Sequence, residues 1–538
     1  MENLTSDIVI VGSGIAGSIM AERLSRKGLK VIILEAGSHV DRGKAFNTFI
    51  NAVDKIPESA YEQQAHARFP LTVNESYFVQ KGKELFKSTY LRVAGGTTWH
   101  WQGTVLRLLP EDFQMKSKYN VAFDWPITYN DLEFWYEEAE KELGTSGFNG
   151  EDLGSPRKNK YPLPEIPFSN LDQFMIASLK KSEYKIVHTP QARNSIPYDM
   201  RSACCGSASC IPICPVQAKY DATVHLNKAQ KNGAKLVTNA VAYEVVSEKS
   251  GKISEIKFKI KDGKIFSVKG NTFILAANAI ENAKLLLMSK SEYFKNGIAN
   301  LSDQVGRNLM DHPVILAYGL APERIFPYRS PTSTAGIDET RRGAYRKDFA
   351  SYRLEISNDG WTFPIGGINP FVESLIEKGF KGKKLEDIYR ESVYRQVTMA
   401  ALTEQLPDPY NRVIPSYKNL DAIGIPRPEV YYALDSYTNK SFSDSRKKMI
   451  QILNLANCTQ IKSPLEFYGA GHVMGTHRMG KDSKTSVVDE YLRSHEHHNL
   501  FLLGAGVMPT TGSANPTLTI AALSLKCSHY ILNQYHKV

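Results

Sequence analysis

Long apolar runs are missing from this 538-residue chain: no window approaches the roughly 18 consecutive apolar residues of a membrane-spanning helix, which excludes a bundle of membrane helices. Cysteine is scarce, six residues in all, so a disulfide-dense miniprotein is excluded too. There is no internal repeat and no low-complexity tract. With 42% apolar and 23% charged residues, the composition fits neither disorder nor a collagen-like fibre. The start, MENLTSDIVIVGSG, places Glu2 and Asp7 where a secretory leader carries Lys or Arg. The expectation is no export signal of its own and cytoplasmic residence by default. Export with a partner would instead make the protein periplasmic and associated with the inner membrane. The net charge of +10 comes in short runs such as Lys381, Lys383 and Lys384, or Arg341, Arg342 and Arg346, without interleaved aromatics. No nucleic-acid partner is expected. The runs read as solvated surface, or as a face for an acidic protein or an anionic membrane.

What is present is alternating strand and helix at both ends, on a length worth about three domains. Residues 7–11 (DIVIV) form a short β-branched run suited to a buried parallel strand. Helical spacing follows over 15–26 and a second strand over 29–35, which completes a βαβ unit. Strands are expected again over 234–246, 272–276 and 500–503, with helices over 279–289 and from Pro516 to the end. The fold class is α/β: a Rossmann-like domain over 1–314, with a C-terminal return over 456–538. Between them, 315–455 is richer in Pro, Tyr and irregular charge, and includes strand-like pieces such as 427–435. It reads as an inserted α+β substrate domain built on an antiparallel sheet.

Gly12, Gly14 and Gly17 form a GxGxxG directly after a strand and at the start of a helix. The first glycine makes the tight turn, the second lets backbone approach a pyrophosphate, and the third permits close helix–strand packing. The helix N-terminus adds N–H groups and positive dipole for the phosphates. Glu35, about 20 residues on, is placed to hold ribose hydroxyls, and an acidic residue there disfavours a 2′-phosphate.

These motifs, with Arg92-Val93-Ala94-Gly95-Gly96-Thr97-Thr98, Ala276-Ala277-Asn278-Ala279-Ile280, Val305 to Pro313 (VGRNLMDHP), Pro509-Thr510 and Asn515 to Thr519 (NPTLT), occur in one order. That order resembles the FAD-dependent glucose-methanol-choline oxidoreductases. The resemblance implies FAD rather than NAD. It implies cofactor contacts from Gly12, Gly14, Gly17, Glu35, Gly95, Gly96, Thr97, His100, Val241, Ala277, Gly504 and Thr517. It departs from the family at Gly504-Ala505-Gly506, where most members carry an Asp against the cofactor. In some relatives a histidine at the position of His100 is bonded covalently to the flavin; non-covalent packing of the Trp99-His100-Trp101 loop on the flavin ring is the other reading.

Oxidising an alcohol with a flavin needs a base at the hydroxyl while hydride leaves the adjacent carbon, and histidine suits that role. The resemblance assigns His472 as the base. It assigns Asn515 as a hydrogen-bond donor that steadies the developing alkoxide. His477 falls outside the family's position for the base and is expected to be structural.

Four of the six cysteines crowd into one loop: Cys204, Cys205, Cys210 and Cys214, the last followed by Pro215. A zinc site favours CxxC pairs and histidines, which are missing here. Disulfides are disfavoured without export, and adjacent cysteines strain one another. The crowding, the Cys-Pro ending and the small residues 206–209 favour an iron–sulfur cluster held at about 203–216. Most oxidases of the family lack this loop. It resembles that of the family's bacterial glucose, gluconate, sorbitol and fructose dehydrogenase branch. By that resemblance the cluster is three-iron, four-sulfur with Cys204, Cys210 and Cys214 as ligands. Cys205 would join them in a four-iron form. A flavin delivers two electrons and a cluster carries one at a time, which points to an external acceptor and hence to a dehydrogenase.

The function expected is oxidation of a sugar or polyol. The partners implied by the resemblance are a multihaem cytochrome subunit and a small assembly subunit. A glycoside 3-dehydrogenase, a non-sugar alcohol dehydrogenase and a non-catalytic electron-transfer flavoprotein are the alternatives.

Overall fold

The computed structural model describes residues 4–53, 55–71, 77–358 and 368–535. Its first sheet has seven strands and grows from the N-terminal apolar run: Ile8, Val9, Ile10 and Val11 are all buried, as a strand covered on both faces must be. In order across the sheet lie Lys235–Val237, Val31–Leu34, Leu4–Val11, Ile265–Leu275, Ile253–Ile260 and Ala240–Ser247. Leu500–Leu502 runs parallel to the C-terminal part of Ile265–Leu275. The expected strand over 234–246 is two strands: the first is a parallel edge, the second an arm of an antiparallel hairpin. The chain changes direction between them at Asn239, which adopts a left-handed φ of 56°. Helices Ile15–Ser25, Thr223–Lys231 and Thr517–Tyr535 pack around this sheet. The final expected helical residues, 536–538, lie outside the described residues.

The parallel strands all deliver their carboxyl ends to one edge. Gly12 follows the first strand, Glu35 the second, Ala276 and Ala277 the strand ending at Leu275, and Gly504 the last one. That edge is where open α/β sheets bind ligands.

A second seven-stranded sheet is antiparallel throughout: Thr459–Lys462, Pro313–Leu320, Gln396–Thr403, Tyr352–Ser357, Ala335–Ile337 and Val187–His188, with Tyr468–Gly469 beside Pro313. It therefore draws strands from both sides of the 315–455 segment. Strand alternation separates its faces. Ile315, Ala317, Leu354, Ile356, Met399 and Ala401 share a core with Phe442, Met449, Ile452 and Leu453 of the helix Ser436–Leu455. Val314, Leu316, Glu355, Ser357, Ala400 and Leu402 take the other face and line a cavity.

The strand-like piece expected at 427–435 is Pro426–Tyr431, and it does not join that sheet. It pairs with Arg412–Leu420 and Val79–Gln80 in a small sheet of three. Pro415 and Pro428 stand opposite each other in the hairpin. Neither can donate a backbone hydrogen bond, which keeps this hairpin out of the interior of a long ladder.

Candidate active site

A cavity of about 920 Å³ runs from the carboxyl edge of the parallel sheet to the open face of the antiparallel one. The glycine loop forms its floor, and each glycine has its own steric reason. A Cβ at Gly17 would lie 2.0 Å from the Gly12 carbonyl oxygen, so helix and loop touch only because it is absent. Gly12 has φ +97°, and a Cβ there would meet Ala276 at 2.7 Å. Gly14 has nothing within 4 Å of its Cβ position and faces open space on the cavity wall. Glu35 braces this loop, accepting from the Ser13 N–H (3.0 Å), the Ser13 hydroxyl (2.6 Å) and the Gly37 N–H (2.9 Å). Burial nevertheless outweighs those donors and raises its pKa. Gly95 and Gly96 rest on the same loop: the Gly95 N–H donates to Ser13 Oγ at 3.2 Å, and a Cβ on Gly96 would sit 3.1 Å from Gly14 Cα.

Of the expected cofactor residues, Gly12, Gly14, Glu35, Gly96, Thr97, His100, Val241, Ala277, Gly504 and Thr517 line the cavity. Gly17 and Gly95 lie just behind it. Where most of the resembling family has Asp, Gly504 turns the chain with φ +92°. His100 is buried, and its pKa falls to about 3 through burial and then the charge of Lys219. Its Nδ1 and the Oδ1 of Asn515 are buried without a hydrogen-bond partner among the described residues. Orphaned polar atoms in the wall of an apolar cavity suit a bound molecule that supplies the partners.

His472 and Asn515, far apart in sequence, line this one cavity. His472 Nδ1 meets His312 Nδ1 at 2.9 Å, and His312 Nε2 meets the Gly512 carbonyl at 3.0 Å. Asp311 Oδ1 accepts the backbone N–H groups of both His312 (2.8 Å) and His472 (2.9 Å). Its Oδ2 accepts from the Ala470 N–H and the Ser88 hydroxyl. Burial raises Asp311 to about 6 despite these donors. Burial lowers His312 to about 4 and, with His312 beside it, takes His472 well below the ordinary histidine value. Both imidazoles are neutral at pH 7. His477 packs elsewhere, against Gly506, Thr476 and Leu503.

The cysteine loop lies against the cavity wall, with Ile211 lining the cavity itself. Cys210 and Cys214 are buried, Cys204 is partly buried and Cys205 is exposed. Arg193, fully buried, donates to Cys210 Sγ (2.7 Å), the Gln102 carbonyl (2.9 Å) and Gln191 Oε1 (2.8 Å). Lys219, also buried, donates to the carbonyls of Trp99 (2.9 Å), Trp101 (2.5 Å) and Cys210 (2.7 Å). These two side chains tie the His100 loop to the cysteine loop. Neither makes a salt bridge with a carboxylate among the described residues. Burial pushes the Cys210 thiol up, but Arg193 and Lys219 outweigh it and hold the thiol below its ordinary range. At Cys204, burial wins and the pKa rises. Among the described residues, no three His, Cys, Asp or Glu side chains converge on a single metal ion.

Family models for GMC oxidoreductases match residues 180–314 and 420–524, and a Rossmann-like NAD(P)-binding model matches residues 10–45. The fructose dehydrogenase large subunit of Gluconobacter japonicus is 37% identical over 99% of this chain and 98% of its own. The chain belongs to the GMC oxidoreductase family. It is also similar to the gluconate 2-dehydrogenase flavoprotein of Pantoea cypripedii, at 24% identity over 99% of this chain and 94% of that one. In fold it is similar to the formate oxidase of Aspergillus oryzae, with TM-score 0.68, 15% identity and full coverage of both chains. This GMC oxidoreductase is FAD-dependent and acts on CH–OH donors. The glycine cradle, the cavity and its orphaned polar atoms fit that cofactor.

Three residues at or beside the cavity were not singled out from the sequence. His312 lies inside the VGRNLMDHP motif, but a motif does not say which ring it touches. Asp311, beside it, pins both histidines. Glu355 sits on a strand of the second sheet, in a region whose sequence reads as irregular, and is the carboxylate on the cavity-facing side of that sheet.

Proposed function

We propose that this GMC oxidoreductase is a sugar or polyol dehydrogenase whose electrons leave through an iron–sulfur cluster in the cysteine loop. The observation that carries the reading is the join between the two sites: Ile211 borders the cavity, while Lys219 binds the Trp99 and Trp101 carbonyls on one side and Cys210 on the other.

His472 is the base: neutral at pH 7 and on the cavity wall, it takes the substrate's hydroxyl proton. Asn515 holds the substrate oxygen as charge develops on it. FAD, when bound, supplies a hydride acceptor at N5. Glu355 supports a polyhydroxylated substrate. Its carboxylate stands in a wall of Val314, Leu316, Ala400 and Leu402, held by Arg353 at 3.1 Å, and is suited to accept from sugar hydroxyls. The segment 315–455 is accordingly proposed as the substrate side, with 1–314 and 456–538 on the cofactor side.

The iron–sulfur reading rests on charge. Arg193, a buried cation without a carboxylate partner among the described residues, faces the cysteine loop, and Lys219 beside it is lowered to about 7 by burial; negative charge in that loop would stabilise the charged form of both. Thiolates of Cys204, Cys210 and Cys214 bearing a cluster supply it. The three cysteines would hold the cluster, which would supply a one-electron carrier beside the cavity. Cys205, exposed, is a bystander in a three-iron cluster. A relative that is a large subunit supports further subunits here: a multihaem cytochrome and a small assembly subunit, as the family resemblance implies. Among the described residues no helix is long and apolar enough to cross a membrane, so a membrane attachment is proposed to come through the cytochrome.

Purified holoenzyme mixed anaerobically with fructose, glucose, gluconate and sorbitol tests the substrate class. The flavin band is expected to bleach with at least one of them. No bleaching with any sugar, polyol or aldonic acid overturns it.

A further inference from the structure

The imidazole of His312 has no role in the chemistry proposed above, yet it makes two short, directional contacts. The Gly512 carbonyl can only accept, so the His312 Nε2 facing it must carry a proton. A neutral imidazole has one N–H. His312 Nδ1 is then a bare lone pair, and the 2.9 Å contact to His472 Nδ1 requires the proton to lie on His472. His472 in turn has spent its single N–H on Nδ1. The nitrogen left for the cavity, Nε2, is a lone pair.

We infer that His312 is a positioning residue that fixes the tautomer of His472, so that the Gly512 carbonyl, through two imidazoles, presents a proton acceptor to the substrate hydroxyl. The inference rests on the reading of His472 as the base. Without this chain, a neutral histidine distributes its proton over both nitrogens, and the fraction with Nε2–H would donate to the substrate oxygen instead of accepting from it. Asp311 completes the device. One carboxylate oxygen holds the backbone N–H groups of both histidines, which sets the rings nearly perpendicular, at 89° with centroids 5.1 Å apart. Burial keeps His312 neutral. In the reaction the substrate O–H bond breaks and an Nε2–H bond forms. His472 becomes an imidazolium whose Nδ1–H still points at the His312 lone pair, so the new charge meets an acceptor already in place.

Two measurements test this. Nitrogen-15 spectra of histidine-labelled holoenzyme, without substrate, should show His472 as the Nδ1–H tautomer and His312 as the Nε2–H tautomer. An Nε2–H tautomer at His472 overturns the inference. Anaerobic flavin reduction by D-fructose in two variants is the second. His312→Leu should slow it on the order of 10²-fold with FAD content and dithionite reduction unchanged. His312→Gln, which keeps one acceptor and one donor, should recover most of the loss. Equal rates in the two variants, whether fast or slow, overturn the tautomer role. His472→Ala separates the two readings: substrate reduction surviving in that variant ends the base assignment, while the tautomer spectrum is read without any substrate.

Discussion

Among single residues, the four clustered cysteines divide by burial. Cys210 and Cys214 are buried and Cys204 partly so, while Cys205 is exposed. Serine at 204, 210 or 214 is expected to abolish bound iron and acid-labile sulfide, measured chemically on the purified protein. Serine at 205 should leave both unchanged, and loss of iron there would mean a four-iron cluster. Glu355→Gln keeps the shape and removes the charge. Losing a hydrogen bond to a charged group costs about 1.5–3 kcal/mol, so KM for the sugar should rise by roughly 10–100-fold while flavin content stays constant. An unchanged KM would remove Glu355 from substrate recognition.

At the level of elements, the strand–turn–helix at the N-terminus gives a paired test. A methyl at Gly17 would meet the Gly12 carbonyl at 2.0 Å, so Gly17→Ala forces the helix off the strand and lowers stability along with cofactor content. A methyl at Gly14 meets no protein atom within 4 Å. Gly14→Ala should therefore fold normally, as followed by circular dichroism, yet bind FAD weakly because the methyl occupies the phosphate's approach. This turn was readable from sequence because its chemistry is local: Gly12, Gly14, Gly17 and Glu35 belong to one βαβ unit. The parallel strands were readable for the same reason, their buried runs being continuous. The second sheet was not. Its strands come from 187–188 to 468–469, and Glu355 becomes a cavity residue only through cross-strand pairing with Ala400. His312 escaped because its partner lies 160 residues away. The strand at Pro426–Tyr431 was anticipated, but its partners were not, since Val79–Gln80 gives no sign of the pairing.

Over the whole molecule, the buried histidines predict an acid-labile fold. His100 titrates at about 3, His312 at about 4 and His477 at about 4, all lowered by burial from 6.5. The unfolded chain takes up these protons near pH 6.5, while the folded one keeps the rings neutral. Their contribution is therefore fully present above pH 6.5 and is lost as pH falls toward 4 and below. For His312 and His477 it is about 3 kcal/mol each. Asp311, raised to about 6, opposes this, since its protonated form favours the folded state as pH falls below 6. Glu35, also raised by burial, opposes it in the same sense, while His472, lowered well below the ordinary value, adds to the three histidines. Calorimetry of the holoenzyme should show Tm falling between pH 6.5 and pH 4.5, and a flat or rising Tm would contradict it.

The proposed route of the electrons belongs to the same scale. The cavity and the cysteine loop are one joined structure, through Ile211, Lys219 and Arg193, and the proposed electron route crosses that junction. Holoenzyme reduced anaerobically by its sugar and then mixed with either ferricyanide or dissolved oxygen reads the route directly. If electrons leave through the cysteine loop, ferricyanide reoxidises the flavin quickly and oxygen only slowly, and Cys210→Ser selectively removes the fast ferricyanide phase. Reoxidation by oxygen as fast as by ferricyanide, with no effect of Cys210→Ser, would contradict it.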